Sequence, residues 1–247
     1  MSRRAKSWRV DYPSPPAFGR QKFKHTISPL GDTGFDDLYD MNTQSGSQVS
    51  FETQSPDGMS HPSGRGVLLD YYGYCGATYD PLSTHRIPLT ELQACAASQN
   101  VTFQPGDILL VRSGFVTKYN SLSDSERAKL GTQSFAEHAF AGVEATEGML
   151  DFLHDNYFAA VVGDAPAFEA WPMPPTFSLH QYLLPRWGVP IGEMWDLDRL
   201  ADVCKKKGQY AFFLSSVPAN VPENGILADW CVRLGGVGSH PNAVAIF

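Results

Sequence analysis

Three apolar segments constrain the fold of this chain more than any other feature of its sequence. They are residues 66–72 (GVLLDYY), 107–113 (DILLVRS) and 157–164 (YFAAVVGD). A short, continuous apolar run that is bounded by glycine or polar residues is typical of a strand with both faces buried. Each run is therefore predicted to be a buried strand, and the third is expected to end at Gly163 and Asp164.

Helical patterns alternate loosely with these strands. Residues 87–100 have a helical pattern, with Thr90 as the predicted N-cap and Asn100 as the stop. Further helices are predicted over residues 123–131, 146–154 and 197–207, and further strands over residues 209–217 and 242–247. Because several predicted strands follow one another without a helix, the pattern indicates an α/β or a mixed α+β domain rather than a regular parallel one.

Composition and charge exclude several classes of function. The chain has 247 residues, and this length suits one large domain or at most two small ones. Its formal net charge of -7 argues against binding to nucleic acid or to an anionic membrane surface, since both need clustered Lys and Arg. No apolar run approaches the roughly 20 residues of a membrane-spanning helix. The sequence therefore predicts a globular protein that binds neither nucleic acid nor membrane.

The cysteines and the N-terminus bear on the cellular compartment. Cys75, Cys95, Cys204 and Cys231 are scattered, without a Cys-x-x-Cys pair. We therefore expect neither a disulfide framework nor a zinc site built from cysteine. The basic residues 1–10 lack the apolar segment of a secretion signal, so a cytoplasmic protein is expected.

Two pairs of polar residues are candidates for chemistry. Asp57 and His61 lie four residues apart in a polar stretch, where they are able to share a cation or to form a carboxylate-oriented base. His180 and Glu193 follow on neighbouring elements, and imidazole with carboxylate suits Zn²⁺ or Mn²⁺. The alternatives are a solvated turn for the first pair, and a surface histidine with an unrelated glutamate for the second.

Several long segments occur in an order that is characteristic of a known family. They are GRGVLLDYY, GDILLVRSGF, AAVVGDAPAFEAWP, LHQYLLPRWGVPIGEMWDLDRLAD and FFLSSVPANVP, with the closing GSHPNAVAIF. They resemble the cyclase family that includes the bacterial kynurenine formamidases, and in particular its fungal branch. The resemblance implies a single α/β domain of the swivelling β/β/α type with a mixed sheet over residues 40–247. Residues 1–39 are then expected to form an irregular N-terminal segment.

The same resemblance implies a function. Members of this family are metal-dependent hydrolases or cyclases, which implies a divalent metal cofactor, Zn or Mn. The substrate would be a small molecule: an aryl formamide such as N-formylkynurenine, or a secondary-metabolite amide or lactone. A homodimer is also implied.

The family motif His-x-Gly-Thr-His-x-Asp-x-Pro-x-His assigns the candidate residues to roles. Aligning it with residues 53–61 places Gln54 at a ligand histidine, and keeps the spacing between Asp57 and His61. The resemblance thereby implies Gln54, Asp57, His180 and Glu193 as metal ligands, and His61 as the catalytic general base. An alternative alignment uses residues 43–48 (TQSGSQ), after which no Asp or His follows at the required spacing.

Two departures from the family pattern keep other functions open. Only two residues separate His61 from Gly64, where relatives carry a long stretch, and residues 223–234 interrupt a junction that is usually continuous. The alternatives are a non-hydrolytic relative that serves as a binding or scaffold protein, or a metal-independent cyclase or isomerase that uses His61 and Asp57. Three further residues, Asp164, Glu169 and Trp171, are candidates for lining the pocket, although a buried turn explains Asp164 equally well.

Overall fold

The fold, obtained as a computed structural model, is organised around a mixed β-sheet. The structure describes residues 17–30, 34–50, 63–134, 136–175, 177–216, 238–239 and 243–247. Its strands are β1 (Lys24–Leu30), β2 (Gly34–Asp40), β3 (Gln48–Ser50), β4 (Ser63–Leu69), β5 (Arg86–Ile87), β6 (Ile108–Val111), β7 (Gly142–Val143), β8 (Ala160–Gly163), β9 (Ile191–Glu193), β10 (Ala211–Ser216), β11 (Gly238–Ser239) and β12 (Ala243–Ile246). Its α-helices are α1 (Tyr71–Tyr74), α2 (Leu89–Ser98), α3 (Phe115–Ser121), α4 (Asp124–Gly131), α5 (Glu147–Asp155), α6 (His180–Leu183) and α7 (Asp198–Lys207).

Within the described residues, the main sheet has eight strands in the order β11-β3-β9-β8-β6-β4-β10-β12. The neighbours β4, β6, β8 and β9 run parallel, whereas the outer strands pair antiparallel. The three apolar runs of the sequence are thus the adjacent strands β4, β6 and β8. The prediction of a single mixed α/β domain is confirmed.

Burial on both faces explains why these three strands are continuously apolar. Leu109 and Leu110 of β6 point to opposite faces, and each is 0% exposed. The first packs in a cluster with side chains of α2 and α5, and the second in a cluster with α7. Side chains on both faces of these strands are therefore apolar, because burying one large apolar side chain stabilises the folded state by about 1.5–3 kcal/mol.

Polar residues gather where the parallel strands end. Asp70 follows β4, Ser113 lies two residues after β6, Asp164 follows β8, and Glu193 is the last residue of β9. Parallel strands have their carboxyl ends at the same edge, and such an edge is where open α/β sheets bind ligands. The carboxyl ends of the parallel strands thus bring several polar side chains to one edge of the sheet, the carboxyl edge.

Asp164 ties two of these strand ends together. Its carboxylate accepts hydrogen bonds from Ser113 N at 2.7 Å, Ser113 Oγ at 2.7 Å and Gly114 N at 2.8 Å. Gly114 has φ +89°, and a Cβ at this position would lie 2.5 Å from the Tyr72 ring, so the turn requires glycine. Burial raises the pKa of Asp164 to about 6, although the hydrogen bonds from Ser113 oppose this rise. Asp164 thus occupies a buried turn.

The N-terminal segment differs from its prediction. Residues 1–39 are predicted to be irregular, but β1 and β2 pair antiparallel from Lys24↔Asp40 to Leu30↔Gly34. Most residues of both strands are exposed, Phe35 among them at 76%. The backbone ladder is joined by side-chain contacts between the strands, such as His25 Nε2 with Asp37 Oδ1 at 2.6 Å, and no buried apolar face marks the hairpin in the sequence. The domain boundary at residue 40 stays a prediction.

Most predicted helices are present with small shifts. Ser123 caps α4 with a capping box, and the Thr146 side chain caps α5. The prediction of Thr90 as an N-cap is wrong, because Pro88 holds that position and Thr90 lies within the first turn. Proline suits a helix start because its fixed φ and missing N–H cost nothing there. Asn100 follows α2 with φ +54°, a left-handed conformation that fits the predicted stop.

Two predictions from the sequence concern membrane-spanning helices and disulfide bonds. Among the described residues, no helix is long and apolar enough to cross a bilayer. Cys75, Cys95 and Cys204 are free thiols, while Cys231 lies outside the described residues.

Replacing Asp164 by Asn tests the turn that joins β6 and β8. We expect Asp164→Asn to lower the free energy of unfolding by about 1–3 kcal/mol, because one amide N–H₂ would face the Gly114 N–H. Since the pKa of Asp164 is raised in the folded protein, its contribution is complete below about pH 4 and falls as pH rises through about 6. The difference from wild type should therefore be larger at pH 4 than at pH 7 in denaturant titrations. Asp151→Asn, on the exposed side of α5, is the control.

Candidate functional site

His180 lies between two carboxylates beside the carboxyl edge of the sheet. Its Nδ1 is 2.6 Å from Glu169 Oε2, and its Nε2 is 3.0 Å from Glu193 Oε1. The side chain of Glu169 is 0% exposed and that of Glu193 is 6% exposed, while His180 retains 26%. The structure thus brings together the second predicted pair, His180 and Glu193. The imidazole is the solvent-facing member of a buried cluster.

Three separate elements position these side chains. Glu193 ends β9, and His180 begins α6, which the fully buried Leu179 and nearly fully buried Leu183 anchor in the core. Glu169 lies on a segment that pairs with β7 through an isolated β-bridge to Val143. That segment passes so close to Gly142 that a Cβ there would lie 2.5 Å from the Glu169 carbonyl carbon. Glycine at residue 142 therefore permits the approach that places Glu169 under His180.

Hydrogen-bond donors in and next to the loop before α6 stabilise the buried negative charge of Glu169. Ser178 Oγ donates to Glu169 Oε1 at 2.8 Å, and the backbone N–H of His180 donates to the same oxygen at 3.2 Å. Burial by itself raises the pKa of Glu169, but the hydrogen bonds from His180 and Ser178 outweigh it and lower that pKa. Glu169 is therefore ionised, and it fixes the orientation of the imidazole.

The two carboxylates also decide the protonation of His180. Burial by itself lowers the pKa of His180, but the hydrogen bonds and charges of Glu169 and Glu193 outweigh it and raise that pKa to about 10. In this arrangement both ring nitrogens carry protons at neutral pH. A cation that binds at Nε2 has to displace one of those protons.

Gln48 completes the cluster and was not among the residues singled out from the sequence. Antiparallel pairing of β3 with β9 sets Gln48 directly opposite Glu193. The Gln48 Nε2 donates to Glu193 Oε2, and Trp195 Nε1 donates to the Gln48 carbonyl at 3.0 Å. The side-chain Oε1 of Gln48 is buried and has no hydrogen-bond partner in the part of the chain that the structure describes. The available signal was the alternative motif alignment over residues 43–48.

The three remaining predicted site residues, Gln54, Asp57 and His61, lie outside the described residues. Their assignment stays a prediction. The alternative alignment places Gln48 at the second histidine of the family motif and Ser50 at its aspartate. In this alignment one motif position, Gln48, contacts Glu193.

A cation and an aromatic layer border the cluster. Arg20 donates to the Gln44 carbonyl, and burial lowers the pKa of its guanidinium while the charge of Glu193 opposes that change. No sequence pattern pointed to Arg20. Met194, next to Glu193, packs in a cluster with Phe140, against which the half-buried Trp171 also packs. Trp171 therefore packs against a core cluster, and its pocket-lining role stays a prediction.

The donor set fits a divalent cation. The available donors are His180 Nε2, the carboxylate of Glu193 and the unpartnered amide oxygen of Gln48. A carboxylate on the other ring nitrogen, here Glu169 on Nδ1, is the arrangement that supports histidines which bind metals. Over the described ranges no group of three or more His, Cys, Asp or Glu side chains is arranged to hold a metal. The fit therefore depends on the amide oxygen as the third donor.

Solved structures with a similar fold are named as cyclases and hydrolases. A crystal structure of a novel cyclase matches with a TM-score of 0.76 and 24% identity, covering 100% of this chain and 88% of that one. Isatin hydrolase A from Ralstonia solanacearum matches with a TM-score of 0.67 and 14% identity, covering 99% and 90%. A predicted metal-dependent hydrolase from Bacillus stearothermophilus matches with a TM-score of 0.54 and 16% identity, covering 91% and 86%. No family model matches the sequence, and neither does any curated protein.

These likenesses concern the fold. One fold supports many activities, so a shared architecture at such low identity does not transfer a substrate or a mechanism. The likeness nevertheless extends over nearly the whole chain in all three cases. The chain therefore has the fold of these cyclase and metal-dependent hydrolase structures, in agreement with the resemblance found in its sequence.

Proposed function

We propose that this chain is a hydrolase or cyclase that acts on the carbonyl carbon of a small amide, formamide or lactone. The observation that carries the proposal is the position of His180 between Glu169 and Glu193 at the carboxyl edge of the sheet. An aryl formamide such as N-formylkynurenine, or a related cyclic amide or lactone, is the proposed substrate. The names of the fold neighbours, isatin hydrolase among them, support the same class of reaction.

The proposed cofactor is a divalent cation, Zn or Mn, held by His180 and Glu193 together with the sequence-predicted Gln54 and Asp57. When bound, such a cation lowers the pKa of a water molecule toward about 7 and polarises a carbonyl. The protein residues position this chemistry. Glu169 fixes the imidazole through Nδ1, and the amide of Gln48 holds one oxygen of Glu193 while the other faces His180.

Proton transfer is assigned to His61, as the family resemblance implies. It would accept a proton from the attacking water and return it to the leaving nitrogen or oxygen, since a histidine serves both steps near neutral pH. Burial of both glutamates keeps their charges in a medium of low dielectric constant, where they interact more strongly with the reacting groups. A cytoplasmic homodimer remains the proposed state of the protein.

A second candidate function is a metal-independent cyclase or isomerase. It would use His61 and Asp57 as acid and base. The observation that favours it is that carboxylates contact both ring nitrogens of His180, so neither nitrogen presents a free lone pair to a cation in this arrangement. A non-hydrolytic binding or scaffold protein is the remaining alternative. The first experiment below separates the three functions.

Removing divalent metal tests the cofactor. We expect protein treated with a chelator to lose turnover of N-formylkynurenine, isatin or an aryl lactone, and to regain it when Mn²⁺ or Zn²⁺ is restored, because the cation activates the water. Product formation is followed by absorbance. Equal turnover before and after metal removal would favour the metal-independent enzyme. No turnover of any of these substrates in either state would favour the binding protein.

Replacing Glu169 tests its role as a positioning residue. We expect Glu169→Gln to weaken metal affinity by about 10–100-fold, because a neutral amide supports the His180 imidazole less well than a carboxylate. Metal affinity is measured by competition with a chromogenic chelator, so the result does not depend on knowing the substrate. Glu147→Gln, at the exposed start of α5, is the matched control and should leave the affinity unchanged. Equal affinities for Glu169→Gln and wild type would contradict the assigned role.

A further inference from the structure

We infer that Gln48 is a metal ligand through its amide oxygen, and that this ligand shifts the site toward Mn²⁺ and away from Zn²⁺. The inference rests on the metal-dependent function proposed above and concerns which residue of this chain sets its selectivity. It also assigns to Gln48 the role that the sequence alone gave to Gln54.

The orientation of the Gln48 amide is determined by its neighbour. Glu193 Oε2 only accepts hydrogen bonds, so the group of Gln48 that contacts it is the Nε2 donor. The oxygen on the same amide carbon is consequently directed away from that carboxylate oxygen. It is buried and has no hydrogen-bond partner among the described residues. Buried acceptors are nearly always satisfied, so an unsatisfied one on the amide that contacts Glu193 points to a cation as its partner.

The backbone holds this amide rigidly in place. Gln48 is 0% exposed and sits on β3, where the pairing with β9 fixes it opposite Glu193. Two side chains secure the same segment: Trp195 Nε1 donates to the Gln48 carbonyl, and Ser47 Oγ donates to the Met194 carbonyl. A ligand held by a paired strand is better positioned than one held by a loop. The site is therefore built around this residue and is not an incidental contact.

The chemistry of the donor decides the preferred metal. His180 offers an imidazole nitrogen, whereas Glu193 and Gln48 offer oxygen. Imidazole suits Zn²⁺, while carboxylate and carbonyl oxygens suit Mn²⁺, Mg²⁺ and Ca²⁺. At residue 48 the donor is a neutral amide oxygen, whereas an imidazole at the same position would favour zinc, so the advantage of Zn²⁺ over Mn²⁺ is smaller with Gln48.

Metal affinities of four purified variants test this inference. Dissociation constants for Mn²⁺ and Zn²⁺ are measured by equilibrium dialysis with metal analysis, and bound Mn²⁺ is also followed by electron paramagnetic resonance. We expect Gln48→Leu to weaken Mn²⁺ binding at least about tenfold, because a ligand is lost. We expect Gln48→His to raise the ratio of Zn²⁺ affinity to Mn²⁺ affinity at least about tenfold. Gln54→Leu distinguishes the two ligand assignments, and the exposed Gln93→Leu on α2 is the control that should match wild type.

The outcomes separate this inference from the proposed function. If wild type binds a cation but Gln48→Leu binds Mn²⁺ equally well, or if Gln48→His leaves the affinity ratio unchanged, the assignment of Gln48 is wrong while the metal site stands. Loss of binding in Gln54→Leu instead would return the ligand role to Gln54. If wild type takes up neither metal, both the inference and the metal-dependent function fail. Thermal unfolding confirms that each variant is folded, and should Gln48→Leu not fold, Gln48→His decides.

Discussion

The burial of the Glu169 carboxylate is the constraint on which the rest of the site depends. A buried charge is costly unless it is paired and hydrogen-bonded, and here the compensation comes from Ser178 and from both the backbone and the ring of His180. These contacts fix where α6 begins and which way its first side chain points. His180 then contacts Glu193 at the end of β9, and Glu193 in turn binds the amide of Gln48 across the sheet. A chain of contacts thus runs from a buried carboxylate to β3, which lies between β11 and β9 in the sheet.

The sheet places this chain of contacts where a ligand has access to it. Because β4, β6, β8 and β9 run parallel, their carboxyl ends form one edge, and polar residues follow each of them. Asp164 stabilises the turn after β6 by accepting three hydrogen bonds, from the backbone N–H groups of Ser113 and Gly114 and from the Ser113 hydroxyl. Glu193, by contrast, faces an imidazole that is partly open to solvent. The same edge therefore carries Asp164, which stabilises a turn, and Glu193, whose two oxygens contact His180 and Gln48.

Local sequence patterns predicted the parts of the molecule that burial controls. The apolar runs at residues 66–72, 107–113 and 157–164 became the adjacent strands β4, β6 and β8, because a strand buried on both faces tolerates few polar side chains. The hairpin of β1 and β2 was missed because both of its faces are exposed, so neither strand needs an apolar stripe. Thr90 was assigned a cap that Pro88 holds. The pattern located the second helix correctly and its first residue wrongly.

In the candidate site, too, local sequence patterns predicted one contact and missed another. The pair of His180 and Glu193 was predictable, since it lies within 13 residues on consecutive elements and matches the family pattern. The contact of Gln48 with Glu193 joins residues 145 positions apart through strand pairing, and no local pattern encodes that register. Anomalous diffraction from crystals grown with Mn²⁺ tests the proposed metal site most directly. We expect a manganese peak beside His180 Nε2, Glu193 and the Gln48 amide oxygen. A peak elsewhere, or no peak in a crystal that contains ordered His180 and Glu193, would contradict it.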